Sequence, residues 1–227
     1  MTTAMNPPTP ATAPEWTTTD LVDRLGRIPL SRIRFDPAPG TATEEDVLRI
    51  EAKEDRICEL VDGVLVEKPM AYFESVLASF LIRIIGQFVA EKKLGMVTGE
   101  SGLMRILPRR VRAPDVAFIS WERHRARRNP NSGIGGVVPD LAVEVFSPGN
   151  TVDEMDHKRE EYLKAGVRLI WYVDPHERVV DVFAPSAERV RLDHAGTLDG
   201  RDVLPGFALP VRDLFAEWDR IAQGDEG

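Results

Sequence analysis

The chain has little of what several large function classes require. Its single cysteine, Cys58, excludes an internal disulfide and any multi-cysteine zinc site. The four histidines (His124, His157, His176 and His194) are scattered and form no HExxH pair. There is no GxSxG elbow and no GxxxxGK[ST] loop, and Gly133, Gly135 and Gly136 do not make a dinucleotide fingerprint. The longest apolar stretch, SVLASFLIRIIGQFVA, is broken by Arg83 and Gln87 and falls short of the roughly 20 residues a spanning helix needs. The opening MTTAMNPPTPATAP lacks a basic leader and an apolar h-region, so a cytoplasmic location is expected. A basic excess is missing too. The formal charge is −8 over 227 residues, which argues against coating nucleic acid by bulk electrostatics.

What is present is ordinary for a soluble globular chain: 43% hydrophobic and 29% charged residues. Residues 1–18, rich in Pro, Thr and Ala, read as a disordered tail, and 219–227 as a C-terminal tail. Residues 19–56 read as a helical extension. It holds a short helix near Leu21–Leu25, a loop through PLSRIRFDPAPG, and the helix EEDVLRIEAKED behind an N-cap at Thr43. ICELVDGVLVEK then makes a hairpin about Asp62-Gly63.

The apolar pairs Val76/Leu77, Phe80/Leu81, Ile84/Ile85 and Phe88/Val89 predict a helix from Tyr72 to about Lys93. Three strand-like runs follow: GLMRIL, APDVAFIS and PDLAVEVF. PRRVR links the first two, and the loop RHRARRNPNSGIGG separates the last two. A helix is expected over Val152–Ala165, with Thr151 and Glu154 as a capping box and Gly166 as its C-cap. VRLIWYV suits a strand buried on both faces, and RVVDVFA begins an antiparallel extension. The central order is helix, three strands, helix, strand: an α/β domain with a mixed sheet.

Two acids interrupt runs that otherwise look buried. Asp115 follows Pro114 at the start of VAFI, and Glu144 lies inside LAVEVF on the face of Ala142 and Phe146. Carboxylates placed there need a metal, a cation or hydrogen-bond partners. Pairing to arginine would explain either one alone; two in neighbouring strands point to a divalent cation, and oxygen ligands suit Mg²⁺ or Mn²⁺. Glu74, above Leu77, Leu81 and Ile85 on the first helix, is a third candidate, or else a helix-dipole acid. Lys158 lies between Met155 and Tyr162 on the inward stripe of the second helix. It either snorkels to the surface or approaches a reacting phosphate, and Asp115 and Glu144 are its expected anionic partners. Between Arg105 and Arg128 there are eight arginines against two acids. Arg105, Arg109, Arg123 and Arg125 are the candidates for a phosphate-contacting track, unless the run is a solvated loop. A metal-free hydrolase with two carboxylates also fits these residue types.

Pro114-Asp115 followed by Glu144, in this element order, resembles the PD-(D/E)XK nuclease superfamily. ELVDGVLVEKP, APDVAFIS, PDLAVEVFSPGNT, the helix with Lys158 and Tyr162, and AGVRLIWYVDP resemble its Uma-type restriction endonuclease family, from about Glu59 to Pro175 and on towards Phe215. The resemblance implies a restriction-endonuclease-like core over 57–218, extended by the N-terminal helix and hairpin. It implies Asp115 and Glu144 as catalytic, metal-holding acids, with the Val145 carbonyl as a further oxygen. Glu74 stands where many relatives carry a histidine. Phe146 occupies the lysine position of the motif, so the lysine role moves to Lys158. A Mg²⁺- or Mn²⁺-dependent endonuclease acting on DNA as a homodimer is the implied function. A non-catalytic binding or assembly module that keeps the fold is the alternative.

Overall fold

The computed structural model describes residues 15–69, 72–126 and 133–223. The expected tail lies outside the described residues up to position 14, but it does not extend to 18. Thr17 and Asp20 form a reciprocal capping box that opens α1 (Thr18–Leu25), and Trp16 packs against the apolar cluster beneath it. Gly26 closes the helix at φ +75°, and a Cβ there would come within 2.4 Å of the Glu154 backbone nitrogen, so only glycine fits.

Inside the expected loop, β1 (Ile33–Arg34) forms a two-residue edge strand that buries Ile33. It is too short to leave a period-2 signal. Thr43 and Asp46 box α2 (Glu44–Glu54). The hairpin of β2 (Cys58–Val61) and β3 (Val64–Glu67) turns at Asp62 and Gly63, both at positive φ, as the sequence indicates.

α3 (Tyr72–Lys92) has 21 residues and is, by length and composition, long and apolar enough to cross a bilayer, which the interrupted 75–90 stretch did not suggest. Its stripe of Leu77, Leu81, Ile85 and Val89 is instead buried against the sheet. After it come β4 (Gly95–Gly99), β5 (Met104–Leu107), β6 (Arg110–Arg112), β7 (Val116–Ser120), α4 (Trp121–Ala126) and β8 (Leu141–Val145). Then follow α5 (Val152–Ala165), β9 (Leu169–Asp174), β10 (Val179–Phe183), β11 (Val190–Leu192), β12 (Thr197–Asp199), β13 (Ala208–Pro210) and α6 (Val211–Gln223).

The principal sheet has the order β11-β10-β9-β8-β7-β4, with β8 and β9 parallel and the other neighbours antiparallel. α3 covers one face, where Val116, Phe118, Leu141, Val143 and Trp171 point, and α6 completes that layer. α5 covers the other face through Met155 and Tyr162, against Ala117, Ala142, Ile170 and Tyr172. Successive residues of β9 thus enter opposite cores, which is why VRLIWYV shows no alternation.

The core order of helix, three strands, helix, strand is present as α3, β4, β7, β8, α5, β9, but its first strand differs from the expectation. It is GMVTG at the sheet edge, half-exposed and bounded by glycines. GLMRIL supplies β5 of a second sheet, ordered β1-β3-β2-β6-β5, and the expected link PRRVR supplies β6. Arg109, at φ +59°, turns one into the other. At the head of α5, Thr151 accepts from the Glu154 nitrogen at 3.1 Å. The other half of the expected box is missing, because the Glu154 carboxylate pairs with Arg32 at 2.7 and 2.8 Å.

Candidate active site

Asp115 and Glu144 are brought together by strand register. β7 and β8 pair Val116 with Val143, Ala117 with Ala142 and Phe118 with Leu141. Continued one step, the ladder sets Asp115 opposite Glu144, where like charges repel. The Asp115 Oδ2 accepts from the Val145 nitrogen at 2.6 Å, closing the ladder with a side chain. A strand residue directs its N–H and C=O to the same neighbour, so the Val145 carbonyl also faces β7. Its counterpart there is Pro114, which has no N–H to offer.

Each carboxylate has its own lysine. Lys68, at the end of the hairpin, reaches Asp115 Oδ1 at 2.7 Å and also donates to the Ala113 carbonyl. Lys158 lies 3.5 Å from Glu144 Oε2 and 3.1 Å from Glu59 Oε1. Tyr162 donates to the other Glu144 oxygen at 2.6 Å. The expected partners of Lys158 were Asp115 and Glu144. The structure keeps Glu144 and supplies Glu59 in place of Asp115.

Glu59, 1% exposed, is fixed from the far side by Arg112 at 2.7 Å, and Arg112 also meets Glu161 at 2.8 Å. This alternating chain explains the charge states. Burial pushes Glu144 upward, with Asp115 adding to the shift, against the pull of Lys158 and Lys68. Burial also opposes the ionised form of Glu59, but Lys158, Arg112 and Lys68 together hold it well below the ordinary glutamate value. Lys158 overcomes burial because Glu144 and Glu59 hold it above the usual lysine range. The two carboxylates thus favour its charged form, and its 1% exposure rules out snorkelling.

Asp115, Glu144, Lys68 and Lys158 line a cavity of about 230 Å³, which also takes in Glu74, Tyr72, Glu100, Ser147 and Asn150. Glu74 therefore joins the acids from the first turn of α3, with His176 Nε2 3.9 Å away. Three of the four arginine candidates are engaged with protein groups. Arg105 is paired with Glu44. Arg109 donates to the carbonyls of Gly40 and Asp62 at 2.8 and 2.9 Å. Arg123 meets Asp140 at 3.0 Å and the carbonyls of Val138, Pro139 and Gly166. Arg125 is exposed on α4, and Arg127 and Arg128 lie outside the described residues.

Sequence reasoning missed Glu59, Arg112 and Lys68. Glu59 carries the signal that marked Glu144, an acid inside an apolar strand, and could have been found. Lys68 precedes a proline at a strand end and has no such mark.

Among the described residues no group of three or more His, Cys, Asp or Glu side chains is placed to hold a metal ion. The donor set here is two opposed carboxylates and a carbonyl without a ladder partner. That suits Mg²⁺, which binds through one or two carboxylates and keeps several waters.

A mixed sheet between α3 and α5, with two acids at the β7–β8 end, is the restriction-endonuclease-like fold. Residues 44–212 match the Uma2 family model, described as "Putative restriction endonuclease", and the chain belongs to that family. Among solved structures, a protein from Anabaena variabilis ATCC 29413, titled a putative nuclease belonging to DUF820, aligns with a TM-score of 0.65. It is 22% identical, over 72% of this chain and 92% of that one, and the likeness shows the shared fold. No curated protein matches the chain.

Proposed function

We propose that the protein is a Mg²⁺- or Mn²⁺-dependent endonuclease that hydrolyses phosphodiester bonds in DNA. The observation that carries this reading is the facing pair Asp115 and Glu144, set in one cavity with two lysines. Asp115, Glu144 and the Val145 carbonyl would hold the cation, with Glu74 facing the same cavity from α3. When bound, a divalent cation supplies Lewis-acid polarisation of a phosphoryl oxygen and makes hydroxide available near neutral pH.

The chain's own residues do the rest. Lys158 holds Glu144 in place and presents a fixed positive charge to the negative charge that develops on phosphorus oxygens. It does so from the helix, which replaces the motif lysine absent at Phe146. Its two glutamates favour the protonated form, which suits a fixed cation rather than a base. Tyr162 orients Glu144 by its 2.6 Å hydrogen bond. Lys68 orients Asp115 and adds a second positive charge at the cavity wall. Arg125 is left as the candidate phosphate contact on α4. Sedimentation of the purified chain tests whether it forms a homodimer.

The function itself is tested on supercoiled plasmid and on single-stranded circular DNA in Mg²⁺, Mn²⁺ and EDTA, with cleavage of either one counting for it. Nicking in either metal that stops in EDTA is expected. Cleavage of a glycan that survives EDTA would favour a two-carboxylate hydrolase instead.

A further inference from the structure

We infer that the catalytic cleft is built for a single strand of nucleic acid, with Tyr72 as a stacking platform at its mouth. The inference rests on the nuclease reading and names the form of its substrate.

The first observation is depth. Glu144 is 2% exposed on the floor of the 230 Å³ cavity. A second cavity of about 510 Å³ lies beside the first, with Lys68, Pro69 and Ser147 lining both. A duplex is stiff over a persistence length of ~50 nm and cannot dip its backbone into such a recess without deformation. A single strand can.

The second is charge. The chain carries −8, Glu74 and Glu100 line the same cavity, and Arg105, Arg109 and Arg123 are engaged with protein groups. A duplex brings one negative charge per ~1.7 Å of axis, and a single strand about half that density. Arg56 lines the second cavity with 59% of its side chain exposed, but it too is paired, with Glu67 at 2.8 Å, so the recess offers little free positive charge to a duplex.

The third is the aromatic rim. Tyr72 lines the catalytic cavity yet is 75% exposed, an unusual state for a large ring at the head of a core helix. It is not loose. Phe73 meets it edge-on at 5.4 Å, and Phe73 in turn meets Trp218 of α6 at 5.9 Å. A braced ring with an open face beside a cleft is what sequence-tolerant base stacking uses.

The test is fluorescence anisotropy with a labelled oligonucleotide, single-stranded or annealed, in Ca²⁺, followed by cleavage of both forms in Mg²⁺. The single strand should bind at least 10-fold more tightly. Tyr72→Ala should weaken it roughly 5- to 150-fold, the loss of one stacked base, while Tyr72→Phe keeps it. Tyr72 is exposed, so neither change threatens folding. Equal binding of duplex, or a neutral Tyr72→Ala, overturns the inference; if Glu144-dependent cleavage persists, the nuclease reading still stands. Tyr72-dependent, single-strand-selective binding without cleavage of either form upholds the cleft's ligand and overturns catalysis.

Discussion

Asp115 stands opposite Glu144 one step beyond the last Val116–Val143 pair of β7 and β8, and each of the two carboxylates rests on a different lysine. The repulsion between them is offset by Lys68 and Lys158 but not removed, which leaves a place for a divalent cation. Millimolar Mn²⁺ should therefore raise the melting temperature, by an amount corresponding to about 2.7 kcal/mol at a hundredfold excess over Kd. The shift should vanish in the Asp115→Asn/Glu144→Gln double variant. An equal shift in both proteins would place the cation elsewhere.

Proton and cation compete for Glu144. Its raised pKa means that it ionises at higher pH than an ordinary glutamate, for which 4.5 is the reference. The acid limb of the cleavage profile should accordingly lie above that value and move to lower pH as Mg²⁺ or Mn²⁺ is increased. An acid limb that ignores metal concentration would contradict a cation held by Glu144.

Lys158 is both part of the site and part of the core. Lys158→Met keeps the apolar stem but leaves Glu59 and Glu144 without the charge between them. Cleavage should fall by at least 100-fold, as for loss of a group aimed at transition-state charge, to judge by about 2.7–4 kcal/mol for comparable donors. Lys158→Arg should not restore it fully, because the planar guanidinium does not fit where one ammonium meets two carboxylates. Cleavage retained in Lys158→Met would make the residue structural alone.

Glu59 stabilises the fold by countering two buried cations, Lys158 and Arg112. Glu59→Ala should destabilise the protein by about 3–5 kcal/mol in urea unfolding, the cost of stranding a buried partner. Its pKa is depressed in the folded state, so this contribution is complete above the unfolded value near 4.5 and is lost as pH falls below it. Glu154, held down against burial by Arg32, acts in the same direction. Acid unfolding should be less steep in Glu59→Gln than in the wild type.

The arginines separate by role. Arg123→Ala removes one carboxylate and three carbonyl contacts, so it should lower the melting temperature and leave the salt slope of DNA binding nearly unchanged. Arg125→Ala should do the reverse and reduce that slope by about 1. A full salt slope in Arg125→Ala would remove α4 from the interface.

The elements with strong periodicity were legible in the sequence. The buried stripe of α3, the Asp62-Gly63 turn, the Thr151 and Gly166 caps of α5 and the apolar β9 all follow from local chemistry that tertiary packing reinforces. Legibility failed where pairing, not pattern, makes the strand. β4 is a half-exposed edge strand, and β6 hides Arg110 and Arg112 because Asp62 and Glu161 receive them. Of the site, Asp115, Glu144 and Lys158 could be found because each is a charge on an apolar face. Which lysine meets which acid depends on the hairpin crossing to the main sheet, and no spacing along the chain encodes that crossing.

The most direct test is cleavage of a labelled oligonucleotide by wild type and Glu144→Gln, purified side by side and assayed in Mg²⁺ and in Mn²⁺. Metal-dependent cleavage by the wild type, with loss of at least 100-fold in Glu144→Gln and melting close to the parent, is the expected result. Equal cleavage by both proteins, or none by either, would contradict a catalytic centre at Asp115 and Glu144 and leave a binding module on a nuclease fold.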